Sequence, residues 1–415
     1  MRKIFKSSVF LLLVSAIVFP TVFSEAKLVL LIAAVFSALN LMLRKPIAIR
    51  RESELLWIAF PLLGLLWSLY GVAVGNPGAV RVLSVMFVYP IIFPILAFCY
   101  KNGDQDGLVR SMRVSALLLI VLNFSYIYYS TFGGGGWIVD FMQGLFDEAA
   151  VVDDASDYFK FTLPNVSSLL FLIPFFLASV LTNYSDRKIL DGLLTVGLII
   201  IGVLSGRRAL MISVFLGPIL AYFLTWRSQK KSGRRAGVSR FVGPLILSCV
   251  LGFVIYWFFM SFDRAEFYQV QLLSIFDFEG NESNVERRLQ FNALLQGLQE
   301  SIFFGEGAGA AASYSRSTEQ PWAYELSYLA FAFQYGLIGF SIYAAGVLFM
   351  VSRLIKIVNF VGRKDFVFCV LCGFFSFLIA NATNPYLSKF DYMWVFFIPF
   401  ALMNLGAPKS AGQLR

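Results

Sequence analysis

Apolar runs long enough to cross a lipid bilayer recur along almost the whole chain, and no other feature narrows the possible folds so far. They fall near residues 8–24, 27–43, 55–74, 83–100, 114–132 and 166–183, then 189–205, 209–226, 241–261, 323–350, 366–383 and 390–406. Runs of about 17–25 apolar residues match the thickness of hydrocarbon when coiled as helices. They are continuous rather than alternating apolar and polar, which argues against a transmembrane β-barrel. The expected fold is therefore an all-α polytopic membrane protein with about 12 transmembrane helices, the 415 residues forming one integral domain. Charged residues make up only 14% of the chain, against roughly a quarter in soluble proteins. The opening "MRKIFKSSVFLLLVSAIVFP" has the basic start and apolar centre of a secretory leader. The following "TVFSEA" is a poor cleavage site, so this run reads as the first span.

Charge orients the spans. With both termini cytoplasmic, the cytoplasmic segments carry 24 of the 34 Lys and Arg but 7 of the 25 acids. An excess of basic residues near the helix ends on one side marks that side as cytoplasmic. The densest basic stretch, "RSQKKSGRRAGVSR" (227–240), reads as a topology anchor against anionic headgroups, so the basic balance calls for no nucleic-acid partner. The four cysteines all lie within apolar spans and the chain has no histidine. They read as small buried hydrophobes, and neither a metal site nor a disulfide framework is expected.

Two outer loops are long enough to carry chemistry: residues 133–165, and residues 262–322 between the ninth and tenth spans. Four stretches concentrate the polar residues of this side. "LSGRRALM" (204–211) places Arg207 and Arg208 at the outward end of the seventh span. Cations there are favoured by the helix dipole, and arginines snorkel to the interface, yet two together call for a counter-charge. "NVERRLQFNALLQGLQESIFFGEGAGA" (284–310) reads over 285–300 as an amphipathic helix with Phe291, Leu294, Leu295 and Leu298 on one face. Arg287 falls on that face and Arg288 at its edge. An arginine on a buried face requires an anion: a lipid headgroup, an acid of the loop or a substrate phosphate. The glycines at 305, 307 and 309 follow without the strand–turn–helix context of a nucleotide loop. "AYELSYLAFAFQYGLIGF" (323–340) opens the tenth span with Glu325 at its mouth, Tyr328 a turn inside, and Gly336 and Gly339 permitting close helix packing. A carboxylate at that depth is a functional candidate. In "YFKFTLPNVSS" (158–168), Lys160 precedes a helix opened by Pro164 and Asn165.

These four stretches, in this order, resemble the O-antigen ligase and O-antigen polymerase superfamily of bacterial inner membranes. "GRRAL" is similar to a family S-R-G-A-L segment and aligns Arg207 with the family arginine, Arg208 replacing a glycine. Arg287, Phe291, Ala293-Leu294 and the alternating glycines follow the family order in the large loop. "ELSYL" continuing to "GLIG" is similar to H-N-S-Y-L continuing to G-L-I-G, with Glu325 where the ligases have histidine. "LPN" before the sixth span is a further match. The departure at Glu325 favours the polymerase branch.

The resemblance implies a glycosyltransferase working at the outer face of the inner membrane without a cofactor. Its donor would be an undecaprenyl-pyrophosphate-linked glycan and its acceptor a lipid-linked repeat unit. It implies catalytic roles for Glu325, as general base, and for Arg207 and Arg287 at the leaving pyrophosphate. Substrate contacts are expected from Arg208, Arg288, Lys160, Tyr328, Gly305 and Gly307. Membrane lipids and a chain-length regulator are the expected partners. Two other readings stand beside it: a ligase that moves finished polymer to lipid A core, and a flippase for lipid-linked sugar.

Overall fold

A computed structural model describes residues 1–44, 49–100, 104–131, 136–146, 151–153, 160–182, 187–205, 207–231, 282–360 and 364–405. It is predominantly helical. In chain order the helices are α1 (Arg2–Val18), α2 (Ser24–Arg44), α3 (Arg51–Ala73), α4 (Ala79–Leu83) and α5 (Tyr89–Phe98), followed by α6 (Gln105–Thr131) and α7 (Trp137–Phe146). After them come α8 (Leu169–Leu181), α9 (Lys188–Leu204), α10 (Arg208–Lys231), α11 (Glu282–Glu300), α12 (Ser327–Phe360), α13 (Lys364–Asn381) and α14 (Trp394–Leu405).

Among the described residues, seven helical segments are long and apolar enough to cross a membrane: Ser24–Arg44, Arg51–Ala73, Ala79–Phe98, Gln105–Ser130, Pro164–Leu181, Ala209–Arg227 and Ser327–Val358. Helices α1 and α9, of 17 residues each, and the apolar segments Phe366–Asn381 and Phe390–Asn404 are shorter. The span expected near 241–261 lies outside the described residues. Ala79–Phe98 is continuous only through a π-helical turn at Ser84–Val88, which joins α4 to α5.

The surface of the bundle is inverted relative to a water-soluble protein. On α2, Leu28, Val29, Ile32, Phe36, Leu39 and Leu43 are exposed at helical spacing, while Lys27, Leu31, Ala34, Ser37 and Ala38 are buried. Large apolar residues outward, with small or polar ones inward, is how helices pack when the solvent is lipid. The same exposed stripe in water would be an extended apolar patch.

Ion pairs and hydrogen bonds sort the helix ends into two sets. At one end Asp104 receives Arg2 and Lys6, each at 2.6 Å, and Arg113 forks onto Asp191 at 2.7 and 3.1 Å. Arg353 pairs with Glu52 at that end, and the Arg50 amide donates to Asn404. At the other end Ser168 donates to the Ile17 carbonyl at 2.7 Å, and Asp391 receives both the Lys27 ammonium and the Thr21 amide. Lys27 is 1% exposed, and its second acceptor is the carbonyl of Phe19. A buried ammonium is tolerable only with such a counter-ion and hydrogen bonds. This second end carries the candidate site.

The segment before the sixth span is more structured than a simple loop. Besides α7 it holds an antiparallel pair of strands, β1 (Val151–Asp153) and β2 (Lys160–Thr162), with Asp153 opposite Lys160. The chain is helical as expected, this short hairpin being its one strand pair among the described residues. A 3₁₀ turn, Pro164–Ser168, then leads into α8, Pro164 occupying the helix start where its missing N–H costs nothing.

Candidate functional site

Glu325 is the centre of the site. It precedes α12 by two residues, and its side chain is 13% exposed. One carboxylate oxygen accepts from Arg287 Nε at 2.8 Å, and the other accepts from an Arg316 guanidinium nitrogen. Its own backbone N–H donates to Gln290 Oε1 at 2.9 Å. Gln290 is wholly buried and donates to Glu286 at 3.2 Å, while Glu286 also accepts from the Tyr314 hydroxyl at 2.6 Å. That hydrogen bond to a carboxylate pushes the Tyr314 pKa above its ordinary value. Two arginines, two glutamates, a glutamine and a tyrosine thus form one connected network. The carboxylate paired with Arg287 belongs to the mouth of the tenth span rather than to the loop 262–322.

Helix α11 positions Arg287 through a stripe that differs from the expected one. Gln290, Ala293 and Leu294 are buried, and Gly297 packs on the Phe333 ring, whereas Phe291 is 46% exposed. Arg287 lies one turn before Gln290 and shares the buried stripe. Arg288 is exposed. The apolar count alone favoured a face centred on the larger side chains; packing against α12 instead selects the face with small residues.

The glycine-rich segment after α11 locks this helix to α12. Helix α12 is interrupted at Gly336, which takes φ 62° and ψ 179°. An interrupted helix leaves amides and carbonyls without intrahelical partners. The freed Leu337 and Ile338 amides donate to the carbonyls of Ile302 and Phe303 at 2.8 and 3.1 Å. In return the Glu306 and Gly307 amides donate to Phe333 and Gln334 at 2.9 and 3.0 Å. The segment then crosses to α3 and α4, where the Ala308 amide meets the Trp67 carbonyl and the Gly78 amide meets the Gly309 carbonyl. Gly305, Gly307 and Gly309 have φ of 69°, 89° and 73°, a region L side chains rarely occupy. A Cβ on Gly305 would lie 2.4 Å from the Gly336 nitrogen, and one on Gly307 2.9 Å from Gly71 Cα. Gly305 and Gly307, expected at the substrate, are packed tightly against the backbone of α12 and α3. Gly336, expected to allow close packing, does lie against the Phe303 and Gly305 backbone and also breaks its helix.

A second polar group lies at the same end. Arg207 follows α9 and donates to the Leu163 carbonyl at 3.0 Å. Lys389, which sequence reasoning missed, has an exposed side chain close to the protein mass, whose desolvation lowers its pKa, as does Arg207, with Asp391 opposing the shift. Tyr392 hydrogen-bonds Ser167, and Asn165 is fully buried with neither side-chain amide atom partnered among the described residues. An orphaned buried amide is unusual enough to call for an explanation. The two groups are bridged through α13: Tyr328 donates to the Leu378 carbonyl at 2.6 Å, and the neighbouring Phe377 packs on Tyr392 with ring centroids 5.6 Å apart. Lys160 lies in β2 and Arg208 opens α10; their side chains are outside the described ones.

Fold and site together define a polytopic helical membrane protein with arginine-held carboxylate and cationic groups gathered at one end of the bundle. No protein-family model matches the chain, and no curated protein matches it.

Proposed function

We propose that this protein is a membrane glycosyltransferase that elongates a surface polysaccharide at the outer face of the bacterial inner membrane. The donor in this reading is a glycan on undecaprenyl pyrophosphate, and the acceptor is a second lipid-linked repeat unit. The observation that carries it is Glu325 held between Arg287 and Arg316, with Arg207, Lys389 and Asn165 at the same end.

In the reaction, an acceptor hydroxyl attacks the anomeric carbon of the donor sugar, and the bond from that carbon to the pyrophosphate oxygen breaks. Negative charge builds on the departing pyrophosphate. Guanidinium groups suit that task because they stay protonated and give forked, charge-assisted hydrogen bonds. Such stabilisation of developing charge is a large contribution to catalysis. Glu325 takes the hydroxyl proton. Both of its oxygens are occupied by arginines here, so the base becomes available when Arg287 and Arg316 transfer to the pyrophosphate. Donor arrival and release of the base are thus one event. Asn165 offers a donor and an acceptor to a sugar hydroxyl or phosphate.

The test is the surface glycan profile after gene deletion and complementation with wild type or Glu325→Gln. Collapse of the polymer ladder to a single repeat on the core, restored by wild type and not by Glu325→Gln at equal membrane levels, is the expected result. Loss of every repeat with accumulation of lipid-linked polymer would mean ligation to the core instead. Full activity of Glu325→Gln would remove the carboxylate from the mechanism.

A further inference from the structure

The turn that ends α11 carries three consecutive large apolar side chains pointing away from the protein. Ile302, Phe303 and Phe304 are 43%, 65% and 63% exposed. All three of their carbonyls nevertheless have protein donors: the Leu337 amide, the Ile338 amide and the Trp67 indole, the last at 2.7 Å. From Gly305 to Ala310 every backbone amide donates within the protein as well. The carbonyls of residues 302–304 and the amides of 305–310 are thus satisfied within the protein beside outward apolar side chains, as hydrocarbon favours in irregular structure, since lipid offers no hydrogen bonds. A water-exposed turn has no such requirement.

Depth follows from the same bonds. Phe304 is tied to Trp67, six residues before the last residue of α3, Ala73, which is about 9 Å along a helix rising 1.5 Å per residue. Ile302 is tied to Leu337, just past the Gly336 break, and the helix from Ser327 to Tyr335 before it spans about 12 Å by the same rise. Both measures exceed or match the roughly 5–10 Å to which interfacial helices sink. The surroundings continue the surface: Leu337 and Ile338 on α12 and Leu66 and Leu69 on α3 are also exposed. The charged half of α11, with Arg287 level with Glu325, stays at the helix mouths.

We propose that residues 302–304 are a re-entrant lipid anchor, an apolar wedge that inserts among the acyl chains of the leaflet at the end of the bundle carrying Glu325. Helix α11 then descends from the interface into the leaflet, and the glycine segment brings the chain back out against α3. The half-exposed Glu306 belongs to this returning limb, where its amide is already bonded to Phe333. The anchor rests on the membrane fold alone and not on the catalytic reading.

Nitroxide labels at Phe303→Cys and Phe304→Cys test it in full-length protein in phospholipid vesicles. The described native cysteines at 99, 369 and 372 are buried, and Cys249→Ser removes the fourth. Leu348→Cys, on the exposed flank of α12, supplies the lipid reference, and Thr318→Cys the water reference. Each label's collision rate is read with dissolved oxygen and with a water-soluble nickel chelate. Labels 303 and 304 should favour oxygen over nickel as Leu348→Cys does, the reverse of Thr318→Cys. A nickel-dominated signal at both positions would place the turn in water and overturn the anchor. Shielding from both agents would overturn it in favour of a covering protein. The two positions report independently, and neither side chain fills the core, so failure of one variant leaves the other.

Discussion

Adding one methyl group at Gly309 separates packing from binding as the task of the glycine segment. A Cβ there would lie 2.2 Å from the Gly78 carbonyl carbon and 2.3 Å from the Ala79 nitrogen, both backbone atoms of the α3–α4 corner. The residue also has φ 73°. The left-handed conformation costs an alanine about 1–2 kcal/mol, and forcing atoms into a packed site about 1–3 kcal/mol more. Gly309→Ala should therefore destabilise the protein by about 2–5 kcal/mol. Gly75→Ala is the matched control, with φ 80° and nothing within 4 Å of the added carbon. It should lose only the conformational part, about 1–2 kcal/mol. Gly144→Ala, within α7 and equally unobstructed, should gain about 0.5–1 kcal/mol. Unfolding by titration from mild detergent into dodecyl sulfate reads all three, with Trp67 and Trp322, which flank the segment, reporting locally. If Gly309→Ala proves no less stable than Gly75→Ala while transfer is lost, the packing argument fails and direct substrate contact takes its place.

Asn165→Leu removes an orphaned amide from the interior, so thermal stability should hold or rise while glycan transfer falls; unchanged transfer would dismiss Asn165 from the site. Arg113→Met leaves the Asp191 carboxylate, 1% exposed, with Ser179 in place of a forked guanidinium, and should cost about 3–5 kcal/mol in the same titration. Lys389 has a lowered pKa, so its neutral amine should react with an acylating reagent at lower pH than an ordinary lysine. Arg207→Gln relieves part of that depression and should move its labelling profile, read by mass spectrometry, to higher pH.

The membrane-spanning segments were the most legible part of the chain, because a continuous apolar run admits few solutions in lipid. The need of Arg287 for an anion was equally readable, since a guanidinium on a buried helix face is untenable alone. Its partner was not, because 38 residues separate it from Glu325 and no periodicity connects them. Arg316 lay in an irregular stretch with no pattern to mark it, and Lys389 stood next to a predicted span as one more interfacial cation. The glycines show how a pattern can be noticed before its packing can be known. Three alternating glycines were visible as a cluster, and each sits at positive φ, yet only the broken helix at Gly336 reveals what they are packed against. The α11 face was displaced for a related reason: Leu294 is buried on it as expected, but close approach to α12 required Ala293 and Gly297 and left Phe291 exposed.

The pairing of Lys27 with Asp391 sets an order on biosynthesis. The two residues are 364 positions apart, and Lys27 is buried. At about 5–20 residues per second, a ribosome reaches Asp391 roughly 20–70 s after making Lys27. For that interval the first helical hairpin holds an ammonium whose counter-ion has not yet been synthesised, with the Phe19 carbonyl as its described acceptor. The newest part of the chain thus completes the oldest, and a chain truncated before Asp391 would lack the carboxylate that the Lys27 site is built around.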